Sequence, residues 1–299
     1  MKESVDQNYS INASRVKSAF NAAAEDYDAY SSLQQTVTER LIEAFETIKI
    51  EPEKILDLGT GTGRGSKLLK KQFKKAKVYQ ADLSLEMLKE SRKQSSRFFS
   101  KNYFLCANAS SVPLSDNSLD LVFSSLMLQW CNDLESVFAE VMRILKPGGL
   151  FIFTSFGPDT LSELRESWRK VDGDVHVNAF VDMHDIGDSL IRNGMDAPVL
   201  SVEHMIVSYD ECKQLMKELK KIGAQNINSG RRKTLTGKQR LERAVKNYET
   251  YRRDNKLPAT YEVIYGHAWK PKVSNDRFND PNIQTVSLES LKQDLKKRK

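Results

Sequence analysis

The sequence is poor in cysteine and lacks any long apolar run, and each absence excludes a class of protein. Its three cysteines, Cys106, Cys131 and Cys212, lie far apart and form no CxxC pair. This excludes a disulfide framework and gives no zinc-ligand spacing, so no metal site is expected. No apolar stretch approaches the ~20 residues that span a bilayer, and residues 1–6 are polar, unlike a secretory signal. We therefore expect a reduced, soluble, cytoplasmic protein.

Charge is also moderate overall, but it is unevenly distributed. The chain of 299 residues has 46 basic and 40 acidic side chains, a net charge of +6. Residues 209–256 contain 14 of the basic and 6 of the acidic side chains, so this segment carries +8 and the rest of the chain −2. Such an excess is too mild for a histone-like protein, but it predicts a local basic face for an acidic partner.

Strand and helix patterns alternate along the first half of the chain. Apolar runs, several of them ending in glycine or polar turns, alternate with segments of helical spacing. This alternation predicts an α/β fold with a doubly wound, mostly parallel, Rossmann-like sheet of seven strands. The predicted strands are 54–58, 77–81, 102–106, 119–125, 150–156, 198–208 and 260–269. The predicted helices include 14–30, 33–47, 64–74, 134–145 and 183–193.

These elements suggest a division of the chain into three parts. Residues 1–48 are predicted to form an N-terminal helical lid, and residues 49–271 the main domain. Within that domain we expect a polar insertion on the substrate side at 157–181 and a basic helical insertion at 210–256. Residues 272–299 are rich in Asn, Asp, Ser and Lys and are predicted to be a disordered basic tail.

The strongest local signal is a glycine turn between a strand and a helix. Asp57 is followed by Gly59, Gly61 and Gly63, and glycine lets a backbone turn sharply and approach a ligand closely. A dinucleotide site requires the spacing G-x-G-x-x-G, which places pyrophosphate on the helix N-terminus. The spacing here is G-x-G-x-G, followed by Arg64. This form favours a nucleoside without phosphates.

An acidic residue ends the next predicted strand. Asp82 lies 19 residues beyond Gly63, where a carboxylate in a doubly wound fold bonds ribose hydroxyls. The alternative is a solvated turn or a helix N-cap, for which Ser84 competes. The combination with the glycine turn favours the ribose role.

Polar residues also follow the third and fourth predicted strands. Ala107, Asn108 and Ala109 are placed to meet an adenine ring, and the segment 124–130 lies where open α/β sheets bind ligands. Trp130 in that segment is either a ligand contact or a core aromatic.

In combination, these motifs resemble a known family. The strand, the glycine turn, Asp82 and the Lys-Pro-Gly-Gly run at 146–149 resemble class I S-adenosylmethionine-dependent methyltransferases over residues 50–156. A narrower resemblance covers residues 14–271. The segments 126–131, 156–161, 176–178, 182–185 and 257–263 are similar to the malonyl-acyl-carrier-protein O-methyltransferase family of biotin synthesis. That family methylates the free carboxylate of a malonyl thioester.

The resemblance implies S-adenosylmethionine as the cofactor. The family usually has aspartate where this chain has Asn108, whose amide still bonds an adenine edge. Together, the turn and the resemblance predict cofactor contacts from Asp57, Gly59, Thr60, Gly61, Gly63, Asp82, Leu83, Met87, Asn108, Ala109 and Ser124.

A malonyl carboxylate is ionised at neutral pH, since carboxyl pKa values lie near ~4. Its methylation is then an in-line displacement that needs orientation and exclusion of water rather than a general base. Arg165 is predicted to grip the carboxylate in two places, and Tyr27 to close over the site. The alternatives are a solvated helix face for Arg165 and a core position for Tyr27. Further substrate-side candidates are Gln129 and Trp130, and, more weakly, His176, Asn178 and His184. The alternative for each histidine is a structural role.

The basic insertion implies a partner. An acyl carrier protein is acidic, so we expect malonyl-loaded carrier protein, or malonyl-coenzyme A, as the thioester. Nucleic acid is less favoured, because few aromatic residues interleave the basic ones. The alternatives are a methyltransferase for RNA or another small carboxylate, and a non-catalytic or arginine-modifying assembly factor of the same superfamily. The predicted docking residues are Arg231, Arg232, Lys233, Arg240 and Arg243.

Overall fold

A computed structural model describes residues 9–95, 102–231 and 236–272. Within these ranges the chain forms one seven-stranded sheet flanked by helices. The strands are β1 (Lys54–Leu58), β2 (Lys77–Asp82), β3 (Tyr103–Cys106), β4 (Leu119–Ser124), β5 (Leu145–Phe156), β6 (Asp196–Tyr209) and β7 (Leu257–Trp269). The helices are α1 (Ala13–Ala23), α2 (Tyr27–Tyr30), α3 (Ser32–Glu43), α4 (Arg64–Gln72), α5 (Leu85–Gln94), α6 (Leu134–Ile144), α7 (Ser162–Arg169), α8 (Met183–Arg192), α9 (Cys212–Lys221) and α10 (Lys238–Glu249).

The sheet has the strand order β3-β2-β1-β4-β5-β7-β6. The first five strands run parallel, and β7 lies antiparallel between β5 and β6. The helices α9 and α10 come between the last two strands in sequence. The predicted α/β class, the seven strands, the mostly parallel order and the helical insertion are therefore confirmed.

Both faces of the sheet are buried, as parallel strands require. Along β5, Phe151 and Phe153 join one apolar cluster with Phe138 of α6, while Ile152 joins another with Leu41 of α3. Alternate residues of one strand therefore pack against helices on opposite faces. No helix within the described ranges combines the length and apolar character needed to cross a bilayer.

The predicted helix at 14–30 is wrong as a single element. Residues 24–26 form a turn between α1 and α2, in which the amide of Asp26 donates to the carbonyl of Ala23, although the apolar spacing continues. Tertiary contacts explain the break. Ala23 and Ala24 are buried with Met87 of α5, and Asp28 accepts hydrogen bonds from Thr62 and Gln94. These contacts bend the segment around the glycine turn.

The fifth strand begins earlier than predicted. The Lys-Pro-Gly-Gly run ends α6 but belongs to β5, where Leu145 pairs with Leu119 before the register shifts. Gly148 adopts a positive φ of 77°, which allows this irregularity. The substrate-side insertion contains α7, which the sequence pattern did not predict. The predicted tail lies outside the described residues, apart from Lys272.

Candidate active site

The glycine turn leaves β1 and is fastened to the end of β2. The amides of Gly59 and Thr60 both donate to the carbonyl of Ala81, at 2.8 and 3.0 Å. Gly59, Gly61 and Gly63 all have positive φ. A Cβ at Gly59 would lie 2.4 Å from the side chain of Met127, whereas one at Gly61 would meet nothing within 4 Å. The turn therefore packs tightly at Gly59 and leaves open space beside Gly61.

Asp82 joins this turn to the next helix. Its carboxylate accepts from the amides of Gly61 and Ser84, both at 2.8 Å. Burial raises the pKa of Asp82, and these backbone bonds oppose that rise. Ser84, rather than Asp82, is the N-cap of α5, because its hydroxyl accepts from the amide of Met87. Asp82 thus fixes the turn without serving as the cap.

Asp57 lies beneath the turn and is almost completely buried. It accepts hydrogen bonds from the hydroxyls of Thr60 and Ser66, both at 2.7 Å. Burial raises its pKa to about 6, against the lowering effect of these bonds. Asp57 does not line the main cavity, so its contacts in the structure serve the turn itself.

The main cavity has a volume of about 320 Å³ and lies at the carboxyl ends of β1, β2 and β4. Most of the predicted cofactor and substrate residues meet in its lining. Those that line it are Tyr27, Gly59, Gly61, Asp82, Leu83, Met87, Asn108, Ala109, Gln129 and Trp130.

Four predicted cofactor residues lie behind the cavity wall and do not line the main cavity. Thr60 bonds Asp57. The Cα of Gly63 faces Ser91, whose Oγ would lie 2.1 Å from an added Cβ. The hydroxyl of Ser124 donates to the carbonyl of Leu58, and the neighbouring Ser125 lines the cavity instead. Asp57, Thr60, Gly63 and Ser124 therefore support the wall in the structure without lining it.

The segment α1–α2 covers the cavity. Phe20 of α1 meets Trp130 edge to face, with 5.2 Å between ring centroids. Asn21 accepts a hydrogen bond from the hydroxyl of Ser84. Tyr27 lines the cavity, and burial together with the charge of Asp82 raises its pKa. This helical cover is thus held to the glycine turn and to α5 by a few polar contacts.

Sequence reasoning missed several residues of the lining. Lys17, on α1, is the cationic side chain in the main cavity among the described residues, and Ile222 and Ala224 reach it from the end of α9. No local motif marks them. They take part only because the lid and the insertion fold over the sheet.

A smaller cavity of about 60 Å³ adjoins the main one. His176 and Asn178 line it, and Gln129 and Trp130 line both cavities. The ring of His176 stacks on that of Trp168, with 3.9 Å between the ring centroids. Nε2 of His176 lies 2.7 Å from the carboxylate of Asp172. The substrate-side candidates therefore do come together, and His176 also has a packing role.

Arg165 has a different position. Its guanidinium donates to the carbonyls of Pro158 and Thr160, at 2.8 and 2.9 Å. It lines neither cavity. The structure therefore uses Arg165 to hold the turn after β5 and does not bring it to the cavity wall. His184 is also remote: it is exposed at the start of α8, beside Asp182.

The structure describes three of the five predicted docking residues. Arg240 pairs with Asp172 at 3.4 Å, and Arg243 is exposed on α10. Arg231 is half-buried, and Arg232 and Lys233 lie outside the described residues. The exposed Lys213, Lys217 and Lys220 belong to α9, whose end borders the main cavity.

The sheet order, the glycine turn and the acid at the end of β2 define a class I methyltransferase. The methyltransferase domain family matches residues 56–153. The solved YcgJ protein of Bacillus subtilis has a TM-score of 0.58 to this chain at 15% identity, covering 80% of this chain and 99% of that one. At that identity the likeness shows the fold alone.

Relatives at higher identity are more specific. The chain is 45% identical over 269 residues to the malonyl-[acyl-carrier protein] O-methyltransferase of Methylovorus sp., covering 88% of this chain and 91% of the relative. It is 44% identical to the protein of the same name from Gallionella capsiferriformans, covering 92% and 97%. The chain belongs to the malonyl-[acyl-carrier protein] O-methyltransferase family. The resemblance inferred from the motifs is thereby confirmed.

The buried Asp57 predicts a pH-dependent stability. Its pKa in the folded chain, about 6, lies above the ordinary value of 3.8. Between these values the folded state retains a proton that the unfolded state has lost, so this contribution to stability falls as pH rises. Relative to Asp57→Asn, the wild type should lose on the order of 2–3 kcal/mol of unfolding free energy between about pH 4 and about pH 7.

Urea unfolding at a series of pH values measures this difference. Asp188→Asn, at an exposed position on α8, controls for a general effect of removing a carboxylate. A constant gap between wild type and Asp57→Asn across the pH range would contradict the prediction.

Proposed function

We propose that this protein transfers the methyl group of S-adenosylmethionine to the free carboxylate of a malonyl group held as a thioester on acyl carrier protein. The observation that carries this proposal is the 45% identity, over 88% of the chain, to a protein named for that activity. The product would be the methyl ester that primes biotin synthesis. The cavity at the carboxyl ends of the parallel strands supports the proposal, because open α/β sheets bind their ligands there.

The residues of the main cavity fit the proposed cofactor. The open space beside Gly61 allows a ligand to approach the backbone. The carboxylate of Asp82 lies next to it and suits a pair of ribose hydroxyls. The apolar Leu83 and Met87 suit the flat face of an adenine, and Asn108 its polar edge. Lys17, in the same lining, would pair with the carboxylate of the amino-acid end.

The proposed methyl transfer requires no proton transfer by the side chains of the protein. S-adenosylmethionine supplies, when bound, a methyl group on a positively charged sulfur. The acceptor carboxylate is already ionised at neutral pH, so no side chain has to remove a proton. No histidine lines the main cavity within the described part of the chain. Its residues would orient the two reactants and, with the cover of α1–α2, exclude water.

The exposed lysines of α9 support a carrier-protein partner. Lys213, Lys217 and Lys220 follow one another at helical spacing, and the helix ends at the cavity wall. An acidic carrier protein would be attracted to this face and oriented with its cargo toward the cavity. A small malonyl thioester without phosphates or a carrier protein would gain less from the same charges.

The direct test is turnover with labelled cofactor. The protein is incubated with methyl-labelled S-adenosylmethionine and malonyl-loaded carrier protein, and base-labile methyl ester is measured. The expected result is ester formation on malonyl carrier protein and none on acetyl carrier protein, which lacks the free carboxylate. Absence of a base-labile ester, or label on bulk tRNA instead, would reject the proposal.

Replacement of Asp82 tests the cofactor assignment. Asp82→Ala removes a charged hydrogen-bond acceptor and should weaken S-adenosylmethionine binding by on the order of 1–3 kcal/mol. Titration calorimetry measures this change. Asp188→Ala, at an exposed position on α8, should leave the affinity unaltered. An unchanged Kd for Asp82→Ala would count against the ribose role.

Charge reversal on α9 tests whether the acidic carrier protein docks on this helix. The double variant Lys217→Glu, Lys220→Glu should lower kcat/KM for malonyl carrier protein by roughly tenfold or more at low salt, with a smaller effect on malonyl-N-acetylcysteamine, a small thioester without phosphates. The matched control is Lys74→Glu, Lys75→Glu, two exposed lysines just before β2, at the opposite edge of the sheet from the cavity. Equal losses with both thioesters would argue against docking on α9.

A further inference from the structure

The smaller cavity, which we call the annex, is lined by apolar and polar side chains and by His176. Among the described residues that line it there is no lysine, arginine, aspartate or glutamate. Carboxamides are unusually frequent instead. They are Gln34, Gln129, Asn178, Gln225 and Asn226. At about 60 Å³ the annex holds a thin segment of chain rather than a ring system.

Gln129 lies on the boundary between the annex and the main cavity. Its side chain is buried, with 9% exposure, and its Nε2 donates to the carbonyl of Leu126 at 2.7 Å. That bond directs Oε1 away from Leu126, and this buried oxygen has no hydrogen-bond partner within the described residues. Buried acceptors are rarely left unpaired, because the lost hydration is costly. The position therefore suits a ligand that donates a hydrogen bond.

Asn178 offers the complementary group. Its Oδ1 accepts from Nδ2 of the buried Asn228, at 2.8 Å. This bond fixes the amide orientation and leaves Nδ2 of Asn178 without a recorded acceptor among the described residues. Asn226 is different, since its amide nitrogen already donates to the carbonyl of Val175. The annex thus presents a buried acceptor without a partner, on Gln129, and a donor oriented by Asn228, on Asn178. The carboxamides of Gln34 and Gln225 also line the annex but are less buried.

This pair selects among the parts of the proposed substrate. A carboxylate has only acceptors, so it would face Oε1 of Gln129 without a donor. A secondary amide has one N–H and one carbonyl, which match the acceptor and the donor. The phosphopantetheine arm, which carries the thioester in both carrier protein and coenzyme A, contains secondary amides.

We propose that the annex binds the amide of this arm nearest the thioester, with Gln129 Oε1 accepting its N–H and Asn178 Nδ2 donating to its carbonyl. The inference rests on the proposed function and adds a means of substrate recognition to it. Because Gln129 also borders the main cavity, the same contact would place the malonyl end beside the cofactor. Gln129 and Asn178 are then specificity-determining residues, without a part in bond making.

The test uses a pair of small thioesters that differ in one atom. Malonyl-N-acetylcysteamine contains the amide, and the malonyl thioester of 2-mercaptoethyl acetate has an ester oxygen in place of the N–H. The wild type should prefer the amide by roughly tenfold in kcat/KM, the effect of one buried hydrogen bond. Gln129→Met should abolish this preference. Gln72→Met, an exposed position at the end of α4, should retain it.

A purely structural role for Gln129 would lower both rates equally and leave their ratio unchanged. Gln129→Leu, which also removes the acceptor, should likewise abolish the preference and serves if Gln129→Met does not fold. Asn178→Asp, which keeps the acceptor for Asn228 and removes the free donor, should lower kcat/KM for both thioesters, because both contain the carbonyl; unchanged rates would contradict the role of Asn178. Calorimetric binding of S-adenosylmethionine checks the folding of each variant.

Equal wild-type rates with the two thioesters would overturn the inference and leave the proposed function intact. Methylation of malonyl carrier protein but of neither small thioester would overturn it as well, because the annex would then not recognise the amide by itself. Failure to methylate any malonyl thioester would instead reject the proposed function.

Discussion

Two backbone amides, those of Gly59 and Thr60, donate to the one carbonyl of Ala81 at the end of the neighbouring strand. This contact is available only because β1 and β2 are parallel and in register, with Leu58 opposite Ala81. It brings Asp82 to the amide of Gly61 and sets the floor of the main cavity. Asp57 supports the same turn from below. The geometry of the site therefore follows from the pairing of two adjacent strands.

This part of the molecule was predictable from the sequence because its causes are local. A buried strand shows as an apolar run, a turn with positive φ requires glycine, and an acid at a strand end is visible by its spacing. The sheet order and the positions of Gly61, Asp82 and Asn108 around one cavity agree with those predictions. The Lys-Pro-Gly-Gly run was misplaced by the same logic. Its proline and glycines indicate the end of a helix, and only the pairing of Leu145 with Leu119 shows that β5 has already begun.

The remainder depends on contacts between distant parts of the chain. The break after α1 follows from the bonds of Asp28 to Thr62 and Gln94, which no local pattern records. Asn178 is oriented by Asn228, 50 residues further along. Arg165 has the right chemistry for a carboxylate, but the turn after β5 uses its guanidinium on two carbonyls. In each case the residue type showed which contacts were chemically possible, and the tertiary structure determined which of them form.

The distribution of charge is consistent with the proposed reaction. A sulfonium and a carboxylate react to give two neutral products, so charge disappears on the way to the transition state. A strong cation held against the carboxylate would stabilise the reactants more than the transition state and would slow the transfer. A neutral carboxamide, such as that of Gln129, would position a substrate without this cost. In the proposed reaction, the lysines of α9 would act outside the cavity, where electrostatic attraction raises the rate of encounter without stabilising the bound reactants.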